Sequence, residues 1–346
     1  MNSSALEEVL LRGIRHAPGR SLLVLDCPSG ASPARLSSAM PGSAMFFFNR
    51  DFADYSVIAP DLDPDSCRYG AWYSAAEPHD SAVVFLPRGR ENLLMTLNMV
   101  RQAIKPGGVI MVAGEKRGGM GAARTLLEET CGSVFYSESA RHCVTIAGRN
   151  PGPGGGPGSL DGWMTCYQAE VSGVKLEISS CPGVFCHGRV DPATALLVDS
   201  LERDDAKSVL DFGCGSGIIG SVVSLKWEGV AVDMLDSSAL AVESARRTAE
   251  ANGLKGARIL ASDCFSSAGS GYDLIVSNPP FHSGPTIELG VIEMLWREAE
   301  ERLNPSGRLV LVTSGAVPAR LTAEGGMKNV RVLASNRNYR VTEASK

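Results

Sequence analysis

Residues 150–158 read Asn-Pro-Gly-Pro-Gly-Gly-Gly-Pro-Gly. Proline fixes φ and withholds a backbone donor, and glycine loses the most freedom on ordering, so neither helix nor strand is built from this stretch. It predicts a linker, bounded at residues 150–168, between a first domain (1–149) and a second (169–346). A chain of 346 residues accommodates two domains comfortably.

The two halves echo each other. Ser21 to Asp26 (Ser-Leu-Leu-Val-Leu-Asp) matches Lys207 to Asp211 (Lys-Ser-Val-Leu-Asp), each a short apolar strand closing on an aspartate. Ser81 to Pro87 matches Tyr272 to Pro279, and Ile104 to Ile110 matches Leu303 to Leu309. At the last pair a helix is expected to end at a Pro-Gly or Pro-Ser-Gly turn before a buried strand. The spacing between matched segments widens along the chain, as small insertions after a duplication would produce. Apolar strands alternating with helices in both halves predict two tandem Rossmann-like α/β domains.

The halves diverge where chemistry would sit. After its aspartate the first reads Cys27-Pro28-Ser29-Gly30, and the second reads Phe212-Gly213-Cys214-Gly215-Ser216-Gly217. The first has Phe85-Leu86-Pro87-Arg88 where the second has Asn278-Pro279-Pro280-Phe281. The first domain is therefore expected to be a degenerate copy with a structural or substrate-binding role.

Composition narrows the class. Hydrophobic residues at 44% and charged residues at 21% suit a soluble globular protein, and no apolar run reaches the roughly eighteen residues of a membrane span. Met1 to Arg20 has neither an apolar segment nor a small-residue cleavage site, so no secretory leader is expected. Nine cysteines include no Cys-x-x-Cys pair, and Cys181 and Cys186 lack a second pair to close a zinc site. Reduced thiols, no metal and a cytoplasmic location are expected. A net charge of −5 does not advertise a nucleic-acid binder, although whole-chain charge can conceal a basic face.

Val209 to Gly217 is a buried strand running into a Gly-x-Gly-x-Gly turn, followed by a helix over Ile218 to Lys226. Such a turn lets a ligand approach the backbone and leaves the free N–H groups of a helix start beside it. A glycine triad alone also suits dinucleotides, whose usual pattern is Gly-x-Gly-x-x-Gly. Here Asp211 precedes the first glycine by two positions, and Asp-x-Gly-x-Gly-x-Gly resembles motif I of class I methyltransferases. In that reading Asp211 accepts from the amino-acid part of S-adenosylmethionine, and Gly213, Gly215 and Gly217 form the cradle. A second strand, Val230 to Leu235, ends in Asp236, placed for the ribose hydroxyls. A third, Ala257 to Ala261, leads to Asp263, placed for the adenine amino group. Helix N-capping is the alternative role for Asp236 and Asp263.

Leu274 to Phe281 is the most informative stretch. A buried strand delivers Asn278, two prolines and an aromatic. The prolines stiffen the turn and leave its carbonyls free. The Asn278 side-chain oxygen and the Pro279 carbonyl can both accept from one exocyclic NH₂, and Phe281 can stack on a base. An amine conjugated to a ring is a poor nucleophile, and fixing its geometry is the help it needs. This turn resembles motif IV of amino-nitrogen methyltransferases. By itself it leaves adenine N6, guanine N2 and a glutamine amide open.

Further segments resemble the 16S rRNA guanine-N2 methyltransferase family often called RsmC, which has two tandem copies of the fold with the N-terminal one inactive. They are Gly114-Glu115-Lys116-Arg117-Gly118-Gly119, Ser139-Ala140-Arg141-His142-Cys143, Pro182-Gly183-Val184-Phe185 with Asp191, and Asn278-Pro279-Pro280-Phe281-His282-Ser283-Gly284. The resemblance implies catalytic roles for Asn278, Pro279 and Phe281. It implies cofactor contacts for Asp211, Gly213, Gly215, Gly217, Asp236 and Asp263, with Asn278 bordering the cofactor as well. It implies S-adenosylmethionine as cofactor, rRNA of the 30S subunit as partner, and work as a monomer away from membranes. Phe185 and Asp191 are candidates to close over the cofactor. Asp191-Pro192-Ala193 replaces the family's Asp-Gly-Ser, and Asp263 replaces a common asparagine. A sister family acts on a 23S rRNA guanine, so that target remains an alternative.

Overall fold

A computed structural model describes residues 3–279, 285–315 and 327–346. The chain divides into two compact units, one up to Met164 and one from Thr165 onward.

The first unit runs α1 (Ser3–Gly13), β1 (Ser21–Leu25), α2 (Pro33–Ala39), β2 (Ala44–Asn49), α3 (Phe52–Ile58), β3 (Cys67–Tyr69), β4 (His79–Phe85), α4 (Arg90–Ala103), β5 (Ile104–Glu115), α5 (Met120–Cys131), β6 (Val134–Ala140) and β7 (Cys143–Arg149). Its seven-stranded sheet has the order β3-β2-β1-β4-β5-β7-β6. β7 is antiparallel to both of its neighbours, and the other pairings are parallel. The central strand explains why the sheet must be covered on both faces. Leu22 and Val24 enter an apolar layer with α1 and α2, while Leu23 and Leu25 enter the opposite layer with α4 and α5. Each of these fully buried side chains contributes about 1.5–3 kcal/mol.

The second unit opens with a hairpin, β8 (Thr165–Val171) and β9 (Val174–Ser180). It continues α6 (Pro192–Asp199), β10 (Ser208–Phe212), α7 (Ile218–Lys226), β11 (Ala231–Asp236), α8 (Ala239–Ala251), β12 (Arg258–Ala261), β13 (Tyr272–Ser277), α9 (Pro285–Arg302), β14 (Leu303–Ser314), β15 (Lys328–Ser335) and β16 (Tyr339–Ser345). Its sheet order, β12-β11-β10-β13-β14-β16-β15, repeats that of the first unit strand for strand. The hairpin lies on α8, where Asn252 exchanges hydrogen bonds with the Glu177 backbone (3.1 and 2.7 Å). The chain is thus two tandem Rossmann-like copies, as the echo implies.

Strand pairing corrects the echo in one place. Leu25 pairs with Phe48 in the first sheet, and Phe212 pairs with Leu235 in the second. Val24 therefore stands where Asp211 stands, and Asp26 stands where Gly213 stands. The backbone agrees: Asp26 and Gly213 both have positive φ (53° and 70°). Each also donates its N–H to the carbonyl ending the neighbouring strand, Phe48 O at 2.9 Å and Leu235 O at 2.8 Å. Asp26 and Asp211 are therefore not counterparts.

One further expectation changes. The Pro-Gly segments do not separate helix from strand. β5 and β14 begin directly after α4 and α9, and the proline and glycines form a register shift within each strand. The Gly/Pro-rich stretch is largely exposed, and side-chain hydrogen bonds tie it to the first unit. Arg101 Nη2 donates to Gly152 O (2.8 Å), Asn98 Nδ2 to Pro157 O (2.6 Å) and Asn150 Nδ2 to Ile104 O (2.8 Å). Among the described residues no helix is long and apolar enough to cross a membrane.

Candidate active site

In an open α/β sheet a ligand crevice forms beyond the C-terminal strand ends, where the strand order reverses. In the second unit that point lies between β10 and β13. β10 delivers the glycine turn and β13 delivers Asn278. The two ends are tied together, with Phe212 paired to Ser277 and Ser277 Oγ donating to Phe212 O at 2.8 Å.

The glycine turn is held from β11. Gly213 N and Cys214 N both donate to Leu235 O (2.8 and 2.9 Å). Asp236 Oδ2 accepts from Gly215 N, and Oδ1 accepts from Ser238 N, each at 2.9 Å. Asp236 is not the N-cap of α8; Ser238 is, accepting from Ala241 N at 3.4 Å. Gly213 and Gly215 have φ of 70° and 56°, and nothing lies within 4 Å of where a side chain would begin. Gly217 differs. A Cβ there would lie 3.0 Å from Ala245 Cβ, so its missing side chain lets α7 close on α8. Asp263 follows β12, half-buried, in a turn rather than at a helix start; its N–H donates to Ser266 Oγ at 3.0 Å.

Asp211 is the anomaly of the core: a carboxylate with no exposed surface inside a central strand. Its Oδ2 accepts from Gly220 N at 2.9 Å, while Oδ1 is buried and has no partner. Burial pushes its pKa up to about 7, which the Gly220 N–H partly offsets and Asp236 reinforces. An unpaired buried carboxylate oxygen is costly and calls for a donor from outside the chain. With the open space over Gly213 and Gly215, it fits the cationic amino-acid end of S-adenosylmethionine.

Asn278 is fixed by a pair that motif reading missed. Its Nδ2 donates to Asp191 Oδ2 (2.9 Å) and to Thr194 Oγ1 (2.8 Å), while Oδ1 is buried without a partner. Asp191, a candidate to close over the cofactor, caps α6, accepting from Thr194 N at 3.1 Å, and grips Asn278. Phe185 is 46% exposed. Pro279 follows directly at the end of β13, and Phe281, with Pro280 and His282, lies outside the described residues.

The first unit shows what losing such a site looks like. At the positions of Asp211, Gly213, Asp236 and Asn278 it carries Val24, Asp26, Asn49 and Phe85. Arg50 pairs with Asp26 and also donates to Asn92 Oδ1 at 3.1 Å. Asn49 Nδ2 is committed to Cys27 O at 2.7 Å. An ion pair thus sits where the second unit keeps its turn bare.

The second unit's sheet order, its glycine turn after the first sheet strand and its Asn-Pro-Pro sequence after the fourth define a class I methyltransferase. The profile called "Methyltransferase small domain" matches residues 175–343, and "Methyltransferase small domain N-terminal" matches residues 7–151. The ribosomal RNA small subunit methyltransferase C of Pseudoalteromonas atlantica is 30% identical over 345 residues, 98% of each chain. That of Pseudomonas putida is 35% identical over 272 residues, 77% of this chain and 80% of the relative. The T. thermophilus 16S rRNA N2 G1207 methyltransferase, solved with AdoMet and guanosine, superimposes with a TM-score of 0.80 at 22% identity. That match covers 99% of this chain and 91% of the other. The chain belongs to the ribosomal RNA small subunit methyltransferase C family.

Proposed function

We propose that this chain transfers a methyl group from S-adenosylmethionine to the exocyclic N2 of a guanine in 16S rRNA, on the 30S subunit. The observation that carries the reading is the Asn278 amide oxygen. It is buried and unpaired, at the strand end beside a glycine turn with open space over it. The relatives' printed names and the guanosine in the T. thermophilus structure favour guanine over the other amino nitrogens.

S-adenosylmethionine, when bound, supplies an electrophilic methyl group on a sulfonium. Asp211 Oδ1 receives its amino-acid end, Gly213 and Gly215 leave room for it, Asp236 faces the ribose and Asp263 the adenine. Gly217 contributes indirectly by seating α7. Asn278 Oδ1 and the Pro279 carbonyl accept from the guanine NH₂, aligning its lone pair for in-line attack. They also stabilise the positive charge that builds on the nitrogen as the C–N bond forms. Phe281 provides a face for the base extruded from its stack.

The test is labelled methyl transfer to naked 16S and 23S rRNA and to isolated 30S and 50S particles, followed by nucleoside analysis. Label in N2-methylguanosine from 30S particles is the expected result. Label in 23S rRNA, in N6-methyladenosine or only in protein would overturn it.

A further inference from the structure

An asparagine amide can hold its group either way round, and only one orientation accepts from a substrate amine. The geometry points to Asp191 and Thr194 as positioning residues that lock the Asn278 amide with its oxygen toward the substrate. This rests on the proposed reading of Asn278 as the acceptor for the target NH₂.

The amide nitrogen has two hydrogens, and both are used. One goes to the Asp191 carboxylate at 2.9 Å and one to the Thr194 hydroxyl at 2.8 Å. Turning the amide over would press a carbonyl oxygen against Asp191 Oδ2 and leave an NH₂ where the acceptor is needed. A carboxylate partner on a buried hydrogen bond makes that reversal expensive. Asp191 and Thr194 are themselves fixed. Both are more than nine-tenths buried, and they form the first turn of α6, where Pro192 presets the backbone and Asp191 Oδ2 accepts from Thr194 N. The anchors and Asn278 are 87 and 84 residues apart in sequence, so only the fold unites them.

The arrangement also has an electronic effect. An N–H directed at an anion pushes density onto the carbonyl oxygen of the same amide, because hydrogen bonds in series polarise one another. Oδ1 becomes a stronger acceptor just where the substrate nitrogen turns cationic. The contribution belongs to the transition state rather than to binding, so it falls on kcat.

Asp191→Ser separates this role from mere capping, because serine is as good an N-cap as aspartate while its shorter side chain does not also hold the Asn278 amide. In the full-length protein with 30S particles, this variant is expected to keep its melting temperature. Its cofactor Kd and particle KM should stay within about twofold, while kcat falls roughly 10- to 100-fold. Thr194→Val lowers kcat and Thr194→Ser restores it. On an Asn278→Ala background, Asp191→Ser costs nothing further. An equal loss on both backgrounds, or a loss confined to KM or melting, would overturn the assignment. A readout without turnover is the side-chain NH₂ of Asn278 in ¹⁵N NMR, identified by its disappearance in Asn278→Ala. Two slowly exchanging proton signals are expected, collapsing to solvent-like exchange in Asp191→Ser. Solvent-like exchange in the wild type would sink the lock. A wild type with a locked amide that methylates something other than guanine N2 would instead refute the substrate reading.

Discussion

Asp211→Asn should make the protein more stable and a worse binder of its cofactor. The folded chain holds this carboxyl near pH 7 against an ordinary 3.8, chiefly through burial. Between those two values the folded chain keeps a proton that the unfolded chain releases. Stability therefore falls as pH rises across that window, and the full loss is present above pH 7. Three pKa units correspond to about 4 kcal/mol. Asparagine removes that cost, but its NH₂ has no acceptor where Oδ1 now lies, which costs about 1–3 kcal/mol. The net gain at pH 8 is about 1–3 kcal/mol, and melting shifts by about 2–4 °C per kcal/mol in a domain of this size. At pH 5 most of the gain disappears, since the wild-type carboxyl is then protonated. Urea unfolding without cofactor at pH 5, 6.5 and 8 measures the trend. Titration calorimetry should show S-adenosylmethionine bound about 10- to 100-fold more weakly, the worth of a charge-assisted hydrogen bond. A variant less stable than wild type at pH 8, by an amount independent of pH, would refute the reasoning.

Asn278→Ala should lower kcat roughly 100- to 1,000-fold, leaving measurable residual turnover, while cofactor affinity, by calorimetry, stays near wild type; loss of both would remove its assigned role. Gly217→Ala combines positive φ with crowding against Ala245 and should cost about 2–4 kcal/mol in urea unfolding. Gly213→Ala meets open space, so it should cost about 1 kcal/mol of stability and act mainly on cofactor Kd. Arg50→Met leaves Asp26 unpaired and should destabilise the first unit by about 2 kcal/mol, with Asp26→Asn added restoring most of it; a neutral single variant would show the pair carries little. Burial pushes Glu343 up, but hydrogen bonds from Arg331 and Arg308 prevail and hold it below the usual carboxylate range. Its contribution is present above pH 4.5 and is lost on acidification through the folded value. Glu343→Gln should therefore narrow the gap in unfolding midpoint between pH 6 and pH 3.

What could be read from sequence was local chemistry. The turn from Gly213 to Gly217 announces itself because glycine adopts such positive φ values at no steric cost. The Asn-Pro-Pro turn announces itself because prolines at the end of a buried strand have few purely structural uses. The pairing of Asp26 with Asp211 failed because both segments look like an apolar run closed by an acid. Register is decided by which residues face each other across strands, and that is not written in either segment alone. The packing of Gly217 on Ala245 was not legible, since that neighbour comes from α8. The anchoring of Asn278 was invisible for the same reason: Asp191-Pro192 signals a helix start, but nothing local says what else the carboxylate holds. Phe281 lies outside the described residues, so its stacking role rests on the motif.

The bend at Asp26 outlived the need for it. Asp26 keeps a left-handed backbone there, which an aspartate tolerates at modest cost. It persists because the bond to the Phe48 carbonyl and the grip of Arg50 hold it where the ancestral loop once turned. Retirement of the first copy was a matter of filling, not of reshaping. The skeleton of a nucleotide pocket can thus survive as scaffolding, and a search of backbone angles would find such relics where a search of residues would not.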